Sequence, residues 1–238
     1  MSISTDDLDA QIQALGNQLR AVPEWHEFEL ENYGCMAADL IRKAKTAKQI
    51  DDVLKLDTQF TDKKWGEFDS EQLRTRYSEI ADYRMRYYRE HEVTRLYMSA
   101  TVNPNISADT LYDVLKKTAL THNDVDRADV ISGAFRNPKL KPKHYDALID
   151  CFKDGPNIIG YHGEDVLGLK DLSSAQLKRF EEIVKETANH DEEGFAEIIS
   201  QINQKKLELR KQERKSAKKQ ETPKKIISGK PFGKDLDI

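Results

Sequence analysis

Apolar residues recur along most of the chain at the three- and four-residue spacing of amphipathic helices. The clearest stripe lies in a predicted helix over residues 5–22 and consists of Leu8, Ile12, Leu15, Leu19 and Val22. The same pattern predicts further helices over residues 24–45, 109–121, 124–135, 142–153, 174–188 and 191–214, and a short one after a capping box at 46–49. With 11 Gly and 7 Pro, the chain has too few turn residues for a sheet-rich fold. The pattern therefore predicts an all-α protein.

Two Asn-Pro dipeptides, at Asn103 and Asn137, stand 34 residues apart and open two similar segments. A residue before proline is driven out of the α region, so each dipeptide ends the preceding helix. The aliphatic residue that follows, Ile106 or Leu140, is placed to form a hydrophobic staple on the next helix. Ser107 is a good N-cap for that helix. Each copy therefore predicts a helix end, a staple and a new helix start.

Weaker copies of this phrase occur at Phe68 and Leu172, with capping-box glutamines at Gln72 and Gln176. The staple positions 68, 106, 140 and 172 are then spaced by 38, 34 and 32 residues, which is typical of helical-hairpin repeats.

Residues 68–200 resemble the α-hairpin repeat proteins of the tetratricopeptide, HEAT and leucine-rich-repeat-variant type. This resemblance implies stacked helical hairpins, an α-solenoid-like fold, and a role in binding other proteins. The Trp, Leu-Gly and Tyr pattern of tetratricopeptides is missing, so no binding residues are carried over from those families.

Charge is unevenly distributed along the chain. Residues 205–238 contain 12 basic and 5 acidic residues, a charge of +7, whereas residues 1–204 carry −11. The apolar pattern is lost after residue 214. We therefore expect an N-terminal helical region over 1–66, a repeat-like domain over 67–214 and a disordered basic tail over 215–238.

The chain has no run of about 18 apolar residues, so no membrane span is predicted. The first ten residues are acidic and polar, unlike a secretory signal. Cys35 and Cys151 are far apart and are interpreted as reduced core thiols. These features favour a cytoplasmic protein.

Arginines and tyrosines alternate over residues 70–100, in one long predicted helix or a tight pair. Aromatic residues and arginine dominate binding hot spots, which makes partner-binding candidates of Tyr83, Arg84, Tyr87 and Tyr88. The alternative is nucleic-acid contact through phosphate pairing and base stacking, with candidates Arg74, Arg76, Arg86 and Arg89. A structural interpretation stays open as well, because the tyrosines lie at helical spacing and the arginines have acidic neighbours.

The basic tail has two interpretations of its own. Spaced apolar anchors in a polar stretch are typical of a docking peptide, and here they are Ile226, Ile227, Phe232, Leu236 and Ile238. Nucleic-acid binding would instead use Lys218, Lys219, Lys224 and Lys225. A tail that only improves solubility is the third possibility.

Catalytic and metal motifs are mostly missing. The six histidines are scattered without zinc-ligand spacing and are expected at the surface, and no cofactor or metal is expected. Residues 154–171 contain four glycines and are predicted to be irregular. Within them, Gly160–Asp165 is the best candidate for an active loop, in which His162 and the two carboxylates Glu164 and Asp165 could do acid–base work; the alternative is a solvated loop between helices.

The sequence thus favours a non-enzymatic adaptor or scaffold that binds another protein through a helical surface. The alternatives are a nucleic-acid-associated accessory protein and an enzyme that uses the 160–165 loop. Partner identity and oligomeric state do not follow from the sequence.

Overall fold

The computed structural model describes residues 5–22, 27–56, 90–121, 124–188 and 192–220, and every regular element in these ranges is helical. The helices are α1 (Thr5–Ala21), α2 (Glu27–Lys43), α3 (Ala47–Leu54), α4 (residues 90–102), α5 (Ala108–Thr118), α6 (Asp124–Arg136), α7 (Tyr145–Asp150), α8 (Pro156–Leu167), α9 (Ser174–Ala188) and α10 (Glu192–Gln220). A 3-10 turn, Pro142–His144, precedes α7. The all-α prediction is confirmed.

The N-terminal helices bury the stripe that the sequence predicted. Leu8, Ile12, Leu15 and Leu19 of α1 are all buried. Helix α1 packs against α2 and α3, and its buried residues join one apolar cluster that continues to Ile202 in α10. Helix α2 continues through Gly34 without interruption.

Local capping signals start the helices where the sequence placed them. Ser107 Oγ accepts a hydrogen bond from the Thr110 amide at 3.0 Å, which satisfies one free N–H at the start of α5. Before α9, Ser173 and Gln176 form the complete capping box, with each side chain accepting from the other residue's amide. Both caps follow buried or half-buried aliphatic residues, as a staple requires.

The two Asn-Pro junctions make the same hydrogen bonds. Asn103 Nδ2 donates to the Ile41 and Ala44 carbonyls at 2.7 and 3.0 Å. Asn137 Nδ2 donates to the carbonyls of Thr101 and Asn103 at 2.6 and 3.2 Å. In both, the side-chain oxygen accepts the amide two residues later at 2.8 Å. Each asparagine therefore ties its own turn to the end of an earlier helix.

Helix contacts follow two series. Along one, α5 contacts α7 and α7 contacts α9; along the other, α6 contacts α8 and α8 contacts α10. Contacts of α5 with α6, and of α9 with α8 and α10, join the two series. Within the first series, Phe152, just after α7, and Phe180 of α9 meet edge to face with ring centres 5.4 Å apart.

A buried arginine holds the turn between α7 and α8. Arg127 is 4% exposed and donates to the Lys153 carbonyl at 2.7 Å and the Asp154 carbonyl at 3.4 Å. Asp124 neutralises its charge from 2.5 Å. Asp154 has a φ of 52°, a left-handed conformation that an aspartate adopts more readily than most residues.

Two sequence predictions are wrong in this region. Residues 156–167 form a helix, not an irregular loop, because Ile158, Ile159 and Val166 are buried and outweigh the glycines. Helix α10 continues across residue 214 to Gln220, whereas loss of apolar residues had suggested an earlier end. Charged residues with good helix propensity can extend a packed helix beyond its last buried turn.

Candidate binding groove

A broad groove follows helix α5, between α3 on one side and α7 on the other. Its volume is about 1120 Å³. Beyond these three helices, it is lined by Tyr97 of α4 and by Lys153 in the turn after α7. We call this feature the α5 groove.

Polar contacts fix the first turn of α5 between its neighbours. Thr110 Oγ1 donates to Asp51 Oδ1 of α3 at 2.6 Å. On the other flank, Lys143 Nζ lies 2.7 Å from Asp109 Oδ1, and this hydrogen bond lowers the pKa of Asp109. The start of α5 is therefore held at a defined position relative to α3 and to the 3-10 turn before α7.

The floor of the groove is apolar. Leu54, Tyr97, Val114 and Ala147 line it and are each less than a tenth exposed. Leu120, at the end of α5, also lines the groove but is 78% exposed. An exposed leucine beside a buried apolar floor offers a place for an apolar side chain of a ligand.

Charge changes sign along the groove. The end near the start of α5 is acidic and is lined by Asp51, Asp109 and Asp113. The opposite end is mainly basic, although Asp150 also lies there, and its cations are Lys55, Lys116, Lys117 and Lys153. Acidic residues at a helix start and basic residues at its end interact favourably with the helix dipole, so α5 itself accounts for part of this order.

Two lysines at the basic end lie over aromatic rings. Lys116 Nζ is 5.5 Å from the centre of the Tyr112 ring, and Lys117 Nζ is 5.9 Å from that of Tyr97. These distances are within the range of cation–π attraction. The rings therefore help to hold the two lysines at the end of α5.

A second polar cluster lies where α2, α4 and α6 meet, beside a smaller cavity of about 270 Å³. His91 Nδ1 is 3.0 Å from both carboxylate oxygens of Asp126, and this hydrogen bond raises the pKa of His91. Arg95 contacts His91, Glu92 and the Cys35 thiol. These ion pairs and hydrogen bonds join three helices through their side chains.

Glu92 is the most perturbed carboxyl group of this cluster. It is 2% exposed, and burial raises its pKa to about 7 despite Arg95 Nε at 3.2 Å. Gly34 of α2 provides the space, because a Cβ atom there would lie 1.9 Å from Glu92 Oε2. Enclosure between α2 and α4 therefore favours the protonated form of Glu92.

One of the two thiols and one histidine differ from the sequence expectations. Cys151 is fully buried, and burial raises its pKa to about 12, but Cys35 is exposed and is not a core thiol.

His144 is fully buried, contrary to the expected surface position. Its Nδ1 accepts the Lys141 amide at 2.8 Å and its Nε2 lies 2.9 Å from the Ala108 carbonyl. His144 thus connects two helix starts, and burial lowers its pKa.

The predicted active loop is part of helix α8. His162 Nδ1 lies 2.9 Å from Asp165 Oδ2 one turn later, and its ring centre is 6.0 Å from that of Phe135. Glu164 accepts a hydrogen bond from Gln201 of α10 at 2.8 Å. Residues 160–165 are therefore helical and do not form a glycine loop, and the hypothesis of an enzyme that uses them stays untested.

Most predicted site residues lie outside the described ranges. The partner-binding candidates there are Tyr83, Arg84, Tyr87, Tyr88, Ile226, Ile227, Phe232, Leu236 and Ile238. The nucleic-acid candidates there are Arg74, Arg76, Arg86, Arg89, Lys224 and Lys225. Lys218 and Lys219 fall in the last turns of α10. These interpretations stay predictions.

Sequence reasoning missed the α5 groove itself. The residues that line the groove are as far apart in the sequence as Asp51 and Lys153, so no local motif contains them. The one local signal was the order of charges on α5, from Asp109 and Asp113 to Lys116 and Lys117.

Within the described ranges, none of the helices has the length and apolar composition that crossing a bilayer requires, and no group of three or more His, Cys, Asp or Glu is placed to hold a metal ion. Comparison with protein-family models, curated proteins and solved structures finds no match to this chain.

Proposed function

We propose that this protein is a non-enzymatic scaffold that binds a segment of another protein in the α5 groove. The observation that carries the proposal is the groove itself: about 1120 Å³, with an apolar floor and opposite charges at its two ends. Pockets for small molecules are usually enclosed and about 300–1,000 Å³. A longer, open groove along a helix suits a peptide segment better.

The proposal includes the arrangement of the helices as stacked hairpins, similar to an α-solenoid. Its support is the similar hydrogen-bond pattern of Asn103 and Asn137 and the two series of helix contacts. In such an array every inner helix has a neighbour on each flank, and shallow grooves arise along the array. Helix α5 has this position between α3 and α7.

The charges of the groove define the kind of segment that it fits. A ligand with basic residues at one end, apolar residues in its middle and acidic residues at the other end would match the acidic start and basic end of α5. The apolar part would contact the floor near Val114 and the exposed Leu120. Rim charges of this type mainly set association rate and orientation, whereas the apolar contact supplies most of the affinity.

Photo-crosslinking in cells tests the proposal. A benzophenone amino acid at Leu120, 78% exposed, should capture a discrete partner; the same amino acid at Tyr161, 76% exposed on α8, is the matched control. The Lys116→Glu, Lys117→Glu double variant should lower the yield at Leu120 because it reverses the basic end. The same products at both positions, or a yield that charge reversal leaves unchanged, would argue against the groove as a binding site.

Nucleic-acid association is the second candidate, and the length of α10 favours it. Arg210, Lys211 and Arg214 are exposed on this helix, which continues to Gln220. A helix of this charge attracts phosphates, and its binding should weaken steeply with salt. A titration of the full chain with a fluorescent duplex between about 50 and 200 mM salt tests this, since affinity should fall by about tenfold or more if several phosphates are contacted. No binding at low salt, or a flat titration, would exclude this role.

A further inference from the structure

The α5 groove and the last residues of the chain have complementary orders of charge. From the start of α5 to its end the groove changes from acidic to basic. The segment after α10 changes in the opposite sense, because its lysines Lys224, Lys225, Lys230 and Lys234 all precede its acidic residues Asp235 and Asp237. Ile226, Ile227 and Phe232 lie among the lysines and before the acidic end, so apolar residues are available for the floor of the groove.

We propose that residues 224–237 occupy the α5 groove of their own chain and compete there with other ligands. In this arrangement Lys224 and Lys225 would face the acidic end, Phe232 the apolar floor, and Asp235 and Asp237 the lysines at the end of α5. This deepens the proposed function, because it gives the same groove an internal competitor, but its test needs no second protein.

Contacts between neighbouring helices place the end of α10 near the acidic end of the groove. Ser174 Oγ, at the start of α9, donates to Glu213 of α10 at 2.7 Å. From the first turn of α9, the Gln176 amide donates to the first carbonyl of the 3-10 turn at 3.3 Å. From that turn, Lys143 reaches Asp109 at the start of α5. The starts of α9, α7 and α5 therefore form one edge, and α10 crosses it near residue 213.

The segment is long enough to reach the groove. Interhelical distances of about 8–10 Å and a rise of 1.5 Å per residue put the middle of α5 roughly 30 Å from Gln220. The twelve residues from 221 to 232 span up to about 40 Å when extended. Phe232 can therefore reach the floor beside Val114 without any change in the helices.

Covalent connection makes even a weak contact effective. A short linker gives its ligand an effective concentration on the order of 1 mM. A segment whose free affinity is only about 0.1 mM would therefore occupy the groove most of the time. A separate ligand has to overcome this occupancy, so removal of the segment should tighten its binding by up to about tenfold.

A benzophenone amino acid at Phe232 of the purified full chain tests the proposal. After irradiation at low protein concentration, we expect crosslinks mapped by mass spectrometry to fall between Val114 and Leu120. The Lys116→Glu, Lys117→Glu double variant should lower their yield by roughly fivefold, because two favourable charge contacts become repulsive. Adding Asp235→Lys and Asp237→Lys should restore the yield, since the attraction is then re-formed with the signs exchanged.

The control has the same change of charge elsewhere. Lys139→Glu with Lys170→Glu alters two exposed lysines outside the groove and should leave the yield unchanged. Crosslinks that map away from α5, or a yield that charge reversal does not lower, would overturn the proposal whatever the stability of the variants. So would crosslinks that form only between copies in a mixture of isotopically labelled and unlabelled chains, since the occupant would then be a second copy. The Leu120 experiment in a chain that ends at Gln220 tests partner binding separately.

Discussion

Replacing Asn137 by alanine tests the connection between successive helices most directly. The side chain is 5% exposed and makes three hydrogen bonds, to the Thr101 and Asn103 carbonyls and from the Lys139 amide. Each bond contributes about 1 kcal/mol net, and a buried partner left without one costs about 1–3 kcal/mol. Because some of the freed groups can reach water at the turn, we expect Asn137→Ala to lower the free energy of unfolding by about 3 kcal/mol.

Urea unfolding followed by circular dichroism measures this loss, provided that the transition is two-state. Asn137→Asp separates the two halves of the interaction: it keeps the acceptor for the Lys139 amide but places an oxygen against two carbonyl groups. We therefore expect it to be at least as destabilising as alanine. Asn157→Ala, at an exposed position of α8, is the matched control and should change the free energy of unfolding by less than about 0.5 kcal/mol.

The equivalent variant at the first junction extends the test. Asn103 makes the same pattern of bonds to the end of α2, so Asn103→Ala should cost about as much as Asn137→Ala. If Asn137→Ala lost less than about 0.5 kcal/mol at an unchanged urea dependence, the junction bonds would not hold successive helices together. An Asn137→Asp chain more stable than Asn137→Ala would refute the assignment of the donor groups.

Three further predictions concern buried groups and close contacts. Because the folded-state pKa of Glu92 is raised to about 7 from 4.5, the folded chain keeps a proton that the unfolded chain loses. The free energy of unfolding should therefore fall as the pH rises from 4.5 to about 7, and in urea unfolding Glu92→Gln should make this fall smaller. His91→Gln should not have this effect, because the stabilisation linked to the raised pKa of His91 is lost only at higher pH. Gly133→Ala should lower the free energy of unfolding by about 1–3 kcal/mol, because its Cβ would lie 2.4 Å from a hydroxyl oxygen of α4. Gly160→Ala is the control: its Cβ meets nothing within 4 Å, so it should raise the free energy of unfolding by about 0.5–1 kcal/mol. Equal effects of the two variants would refute the close packing of Gly133 against α4. Arg127→Lys should cost about 2 kcal/mol in the same assay, since lysine cannot bind both carbonyls of the turn after α7; a neutral substitution would show that the turn does not need them.

Features that depend on local sequence could be predicted well. Caps and staples act within a few residues, so Ser107, Gln176 and the boundaries of α9 follow from the sequence alone. The stripe on α1 is equally local, because 3.6-residue periodicity needs no knowledge of what covers it. The Asn-Pro repeat was visible too, but not what it does, because the carbonyls that Asn103 binds belong to α2, about 60 residues earlier.

Features that depend on distant packing could not be predicted. Four glycines between residues 154 and 171 suggested a loop, but tertiary contacts make most of that stretch helical. Gly163 is buried in α8, and a Cβ there would lie 3.0 Å from Ile198, so its small size lets α8 and α10 approach closely. The burial of His144 likewise depends on a carbonyl that lies 36 residues earlier. Propensity is a weak guide wherever such contacts decide the outcome.

The charges of the α5 groove have a structural explanation and a functional one, and the neighbouring helices help to separate them. If stabilisation of helix dipoles alone set the pattern, each helix along the groove would begin with acidic and end with basic residues. Helix α5 has both, whereas α3 has neither in its terminal turns. The two charged residues that line the groove from the side of α3 are Asp51, in the middle of that helix, and Lys55, just after its last residue. Lys153, too, lies in the turn after α7 and not in a helix. The dipole of α5 therefore does not account for the whole order of charge, and part of the rest is structural, because Lys55 Nζ pairs with Asp52 at 2.9 Å and Lys153 Nζ pairs with Asp150 at 3.2 Å. If the groove binds a ligand as proposed, reversing Lys55 and Lys153 should weaken that binding without destabilising α5.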